Sequence, residues 1–189
     1  TAAPLDAIGA IHWNPASIRG LERSRADVGF ELQSSPARLS SRLGAGALGP
    51  GLPPVALSGA TTSDTTAFPL ANFGVVYRPA ESRWSFGIAV LTICGFAGSF
   101  RQDADNPIFT PQPPNGFGVG SVSSRLFLLQ TVPTVAFQVT DTISIGLAPT
   151  ITVADLTLEP FLFAPPDDAD GNGFPTYPDP SDSIPRYGG

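Results

Sequence analysis

Five stretches of this chain alternate bulky apolar residues with small or polar ones at a period of two, and three of them sustain the pattern for a dozen residues or more. Successive side chains of a strand point to opposite faces, so each stretch reads as a strand with one greasy face. In the first, Ala26, Val28, Phe30 and Leu32 oppose Asp27, Gly29, Glu31 and Gln33. The second sets Phe73, Val75 and Tyr77 against Asn72, Gly74, Val76 and Arg78. In the third, Trp84, Phe86, Ile88, Val90, Thr92, Cys94 and Phe96 face one way, and Arg83, Ser85, Gly87, Ala89, Leu91, Ile93 and Gly95 the other. The fourth runs from Phe127 to Val139 and the fifth from Thr142 to Val153.

A β-rich chain follows from composition as well. Of 189 residues, 20 are Gly and 21 Pro, too many for a helical bundle, while 42% are hydrophobic, too many for a disordered chain. No apolar run approaches the ~20 residues of a spanning helix. All ten basic residues are Arg, and the net charge is −6, so a nucleic-acid binder is not expected. The acidic excess is local: residues 126–189 hold eight acids and one Arg. Cys94 is alone, which excludes an internal disulfide and a thiolate metal cluster. Thr1 to Ala10 lacks the basic region and sustained apolar core of a signal peptide, so an export signal is expected to lie ahead of it or to have been removed.

The connections alternate in length. Some 35 residues join the first two strands, then the turn Pro79 to Ser82, then about 25 residues, then the turn Thr140 to Thr142. Long and short loops at opposite ends are the pattern of an up-and-down transmembrane barrel, whose tilted strands need ~9 to 11 residues to cross. A soluble antiparallel sandwich would also alternate. Two features favour the barrel: the greasy faces end in aromatics such as Trp84, Phe96, Phe127 and Phe137, as interfacial girdles do, and the opposite faces carry Gly, Ala, Ser, Thr and Gln in place of Lys and Glu. Ahead of the strands, Asn14 can cap a helix with Pro15 at its first position, which predicts a short helix from about Pro15 to Glu22.

Asn14-Pro15-Ala16 before an alternating strand, then NFGVVYRPAESRWSFGIAVLTICGFAGSF (72–100), then LFLLQTVPTVAFQVTDTISIGLAPTITVADL (126–156), resembles the FadL family of outer-membrane channels for long-chain fatty acids and other hydrophobic compounds. The resemblance implies an all-β fold: a transmembrane antiparallel up-and-down β-barrel of fourteen strands, about five of them here, with a short helical N-terminal hatch. It divides the chain into a hatch at 1–24, strands one to five with their loops at 25–158, and the start of a long extracellular loop at 159–189. It further implies a monomer in the bacterial outer membrane, in contact with its lipid, that captures a long-chain fatty acid or similar hydrophobe among its loops. The ligand would pass a hatch built on Asn14, Pro15 and Ala16 and leave sideways at a kink in the third strand, at or near Gly95 and Phe96. The runner-up is a structural or adhesive outer-membrane barrel without transport.

Physics alone leaves several roles open. Gly95 inside a strand marks a bulge or a close backbone approach. Leu91 and Ile93 are apolar where a lumen face should be polar; they line a greasy path toward the gap or pack against hatch residues such as Ile18 and Leu21. Pairing Val139 with Ile143 across the turn sets Pro133 opposite Pro149, a weakened spot in the ladder. His12 and Trp13 read as hatch packing, since no second His or nearby Cys supports a metal. Arg25, Asp27, Glu31, Arg78 and Arg83 are expected to form charge pairs that fix the hatch. Phe161, Leu162 and Phe163 are candidates for the capture groove. Asp168, Asp170, Asn172 and Asp179 have the spacing of a calcium loop, with a solvated acidic loop as the plain alternative; no other cofactor is expected. No Ser-His-acid set or isolated carboxylate pair is present, so no enzyme is expected.

Overall fold

The computed structural model describes residues 6–50, 54–64, 67–178 and 186–188. It opens with α1 (Ala7–Trp13) and a 3-10 helix (Pro15–Gly20), followed by β1 (Arg25–Gln33), β2 (Arg38–Leu43), β3 (Leu57–Thr62), β4 (Phe68–Tyr77), β5 (Trp84–Phe100), β6 (Val122–Gln138), β7 (Ser144–Leu147), β8 (Ile151–Glu159) and β9 (Arg186–Gly188). The main sheet is antiparallel in the order β1-β4-β5-β6-β8-β9, with β7 also on β6, and β2 and β3 form a separate hairpin. Neighbours in the main sheet are neighbours in sequence once the hairpin is set aside, which is the up-and-down order.

The greasy faces remain bare. Val28, Phe30 and Leu32 on β1, Trp84, Phe86 and Ile88 on β5, and Ile145, Leu147 and Ile151 on β7 and β8 are all exposed, and among the described residues no second sheet covers them. A sandwich would bury that face; a barrel turns it to lipid. The other face holds the core: α1 and the 3-10 helix lie against it, and Ile11, Ile18 and Leu21 cluster with Val76, Ala89, Leu91, Val132 and Ala136. Among the described residues no helix is long and apolar enough to cross a membrane.

The structure differs from the sequence reading in five places. α1 was not expected; Asp6 caps it in an extended conformation, its carboxylate accepting from the Gly9 N–H at 2.5 Å. The segment after Asn14 is a single 3-10 stretch ending at Gly20, two residues short of Glu22. The long first connection folds into the β2–β3 hairpin. The fifth segment is two strands: the register predicted from the turn holds on both sides (Val135 with Leu147, Thr131 with Ile151), but pairing lapses at 148–150, where Pro149 stands opposite Pro133. Proline has no N–H to give to a ladder, so the lapse has a local cause. Finally, the 159–189 segment ends in a strand, since β9 pairs with β8 from Thr152 to Ala154.

Candidate functional site

The hatch is seated by missing side chains in the wall. A Cβ on Gly74 would stand 2.9 Å from Ile8 Cγ1 and 3.1 Å from the Ile8 nitrogen. One on Gly146 would stand 2.5 Å from the Pro15 carbonyl carbon and closer still to the Ala16 nitrogen, so the wall and the hatch meet backbone to backbone. Asn14 joins the two hatch helices. Its backbone N–H closes α1 on the Ala10 carbonyl at 3.1 Å, and its side-chain oxygen accepts from the Ala16 N–H at 3.2 Å. Asn14, Pro15 and Ala16 thus form one corner, with Pro15 and Ala16 pressed on β7.

A second fastening comes from β1. The Asp27 carboxylate accepts from the Ala7 N–H at 2.7 Å and pairs with Arg25 Nε at 2.8 Å, so a wall side chain supplements Asp6 in satisfying the free N–H groups that open α1. Of the five charges expected to hold the hatch, Asp27 bonds it directly and Arg25 braces Asp27. Glu31 lines a pocket beside α1. Among the described residues, Arg78 and Arg83 contribute through their backbones: the Arg78 N–H donates to Ser24 Oγ, and the Arg83 carbonyl accepts from the Gln138 N–H. The packing expected of Trp13 is not found. Its ring is 83% exposed, edge-on to His12 at 4.9 Å.

The third strand carries the irregularity. β5 and β6 pair from Trp84–Phe137 up to Thr92–Leu129, slip by one residue, and resume at Cys94–Leu128. Ile93 is the extra residue, so the bulge lies two positions before Gly95. On its other side β5 pairs with β4 only from Phe86–Tyr77 to Val90–Phe73, whereas β4 stays paired with β1 as far as Phe68 and β5 with β6 as far as Phe100. Above Phe73 the two strands part. Side chains span the start of the gap: the Thr92 N–H donates to Asn72 Oδ1 and Thr92 Oγ1 to the Ala71 carbonyl, both at 2.8 Å. Gly95 is buried in this region. A Cβ there would stand 2.5 Å from Phe68 Cδ1 and 2.9 Å from Leu70 Cδ2.

A pocket of about 310 Å³ lies between α1 and the parting strands, lined by Ile8, Gly9, His12, Trp13, Glu31, Leu70, Asn72, Leu91, Thr92 and Ile93. It brings together Leu91 and Ile93; Leu91 also belongs to the cluster with Ile18 and Leu21. Phe96 is exposed on β5 outside it. Phe161, Leu162 and Phe163 do not line it. They follow β8 at the loop end of the sheet, all three exposed, with Phe163 at 80% and its ring edge-on to Phe161.

The acidic loop is held by its own side chains. Asp168 accepts from the Gly173 N–H, Asp170 from the Asn172 N–H and side-chain amide, and Asn172 Oδ1 from the Phe174 N–H. These oxygens serve the loop's own turns, and among the described residues no group of three His, Cys, Asp or Glu side chains is placed to hold a metal ion. Asp179 lies outside the described residues.

Two features were not read from the sequence: the Asn106 lock between loops, and Phe68. Asn106 is fully buried in the loop after β5. Its amide donates to the Leu39 carbonyl at 3.0 Å and to Thr61 Oγ1 at 2.9 Å, and its oxygen accepts from Ser41 Oγ. Thr61 in turn donates to Asp103 at 2.7 Å, and that bond, followed by the Asp105 N–H, holds the Asp103 carboxyl below the usual carboxylate range. Asn-Pro before a turn was the available signal for Asn106.

A single up-and-down sheet with a bare apolar outer face, an inner face filled by a capped helical plug, and long loops at one end define a plugged outer-membrane β-barrel. The model of the outer membrane protein transport protein family (OMPP1/FadL/TodX) matches residues 1–169, and the chain belongs to that family. It is an outer-membrane protein of a family of transport channels for hydrophobic compounds. No curated protein and no solved structure matches it.

Proposed function

We propose that this chain is the N-terminal part of a channel that admits hydrophobic compounds such as long-chain fatty acids and releases them sideways between β4 and β5. The chain has no catalytic task in this reading, and calcium has none either. A hydrophobe is captured at the loops, where Phe161, Leu162 and Phe163 offer apolar surface, reaches the pocket beside α1, and leaves where the ladder lapses above Phe73. The observation that carries the proposal is the coincidence of pocket and gap. Leu91, Thr92 and Ile93 line the pocket, and Thr92 and Ile93 are also where β5 slips its register and leaves β4. An unpaired ladder facing lipid is costly, several kcal/mol per unsatisfied group, and a gap maintained at that cost calls for a use.

The hatch corner Asn14-Pro15-Ala16 sets where α1 stands over the pocket, and so sets access. The test is uptake of radiolabelled oleate into liposomes holding the whole protein. Deleting Asn14 to Ala16 removes the corner; the expected outcome is a large change in initial rate with the barrel still heat-modifiable on a gel. No uptake by the unaltered protein would replace this reading with a structural or adhesive barrel.

A further inference from the structure

Phe68 begins β4 at the loop end of the parted strands. Continuing the β4–β5 register upward from Phe73–Val90 would set Phe68 opposite Gly95, at the level where the ladder is missing. Its ring fills that place. Phe68 Cδ1 lies 2.5 Å from where a Gly95 Cβ would stand, with Cε1 closer still, and the ring packs on Phe127 of β6 with centroids 6.0 Å apart. Leu70, next on the same face of β4, is buried and reaches the same spot at 2.9 Å. Below it, Asn72 and Ala71 bond Thr92 and close the foot of the gap. Between Phe73 and Phe68, then, β4 and β5 are joined by side chains and not by a ladder. The position after Phe68 is Pro69, which has no N–H to offer β5 in any case.

We propose that Phe68 is the shutter of the lateral opening: its ring, seated on Gly95, closes the gap between β4 and β5, and a hydrophobe leaves only when the ring swings off. The inference rests on the lateral-release reading and adds the residue that controls it. A ring held by packing alone can turn about its Cα–Cβ bond, whereas a rung of backbone hydrogen bonds must be broken as a unit, so this closure is suited to repeated opening. Gly95 is the seat, because any larger residue there collides with the closed ring. The occupant follows from the lining: an unbranched apolar chain slides past an aromatic ring, while a bulky fused ring system needs the shutter fully displaced.

The test uses the whole protein in liposomes, with initial uptake of radiolabelled oleate and of naphthalene measured for Phe68→Ala, Gly95→Ala and the double variant. Phe68→Ala is expected to raise oleate uptake about threefold, the effect of roughly 0.6 kcal/mol on a barrier, and naphthalene uptake more. Gly95→Ala is expected to unseat the ring, raising both uptakes and lowering the unfolding midpoint, and adding Phe68→Ala is expected to restore the midpoint while uptake stays raised, because the methyl then meets no ring and no shutter remains. Unaltered uptake in a heat-modifiable Phe68→Ala barrel would overturn the shutter while leaving the channel in place. So would a lowered midpoint in Gly95→Ala with uptake unaltered, since Phe68 would then be a packing residue only. No uptake of either probe by the unaltered protein would overturn the channel reading and the shutter with it.

Discussion

At the scale of single residues, the wall of this barrel is shaped by what it leaves out. Gly146 allows the Pro15–Ala16 backbone to lie on β7, so Gly146→Val forces two backbones apart with nothing flexible between them to yield. Overpacking of this kind costs about 1 to 3 kcal/mol, and the loss should appear as a lowered urea midpoint and faster proteolysis of the hatch. Asp27 works by addition. Asp27→Ala removes a hydrogen bond to the Ala7 N–H and leaves Arg25 without its carboxylate, so amide exchange over residues 7–13 should quicken, at a stability loss of about 1 kcal/mol. Unchanged exchange in α1 would show that Asp6 alone caps the helix.

At the scale of elements, the loop after β5 and the β2–β3 hairpin act as one piece. Asn106→Ala would leave the Leu39 carbonyl and the Thr61 and Ser41 hydroxyls without their shared partner, so limited proteolysis should cut within 101–121 while the barrel strands stay protected. Acid should loosen the same joint. The Asp103 carboxyl titrates below its unfolded value, so its contribution is present above the usual carboxylate range and is lost as pH falls through the lowered pKa. Loop cleavage should therefore rise only on the acid side of that range, and Thr61→Val should shift the rise toward neutral pH.

The strands of this sheet were legible in the sequence because each greasy face had a period of two and a lipid-facing partner role. The turn register was legible too, since it needed only the pairing of Val139 with Ile143. What escaped was set by contacts between distant segments. The β2–β3 hairpin, with residues such as Arg38, Ser40 and Arg42 on one face and Leu39 and Ser41 on the other, is held by Asn106 from 45 or more residues away and has no strong apolar face of its own. Ile93 stood out only as an apolar residue at a lumen position; a bulge changes pairing without changing composition. Gly95 was noticed for its missing side chain, and the structure assigns that absence to the Phe68 ring.

At the scale of the molecule, an open sheet with β1 at one edge and β9 at the other has a plug on one face and lipid-facing side chains on the other. The gap between β4 and β5 stands beside the plug, and everything proposed for function depends on that adjacency. Removing Ile93 tests it most directly. Without the extra residue β5 can pair with β6 in one register from end to end, which lets β5 stay beside β4 and allows rungs to form above Phe73. The whole protein carrying this deletion, reconstituted in liposomes and shown to be heat-modifiable, should lose oleate uptake while unaltered protein retains it. Uptake at the unaltered rate through a barrel with an unbroken β5 would contradict lateral release and send the ligand through the lumen.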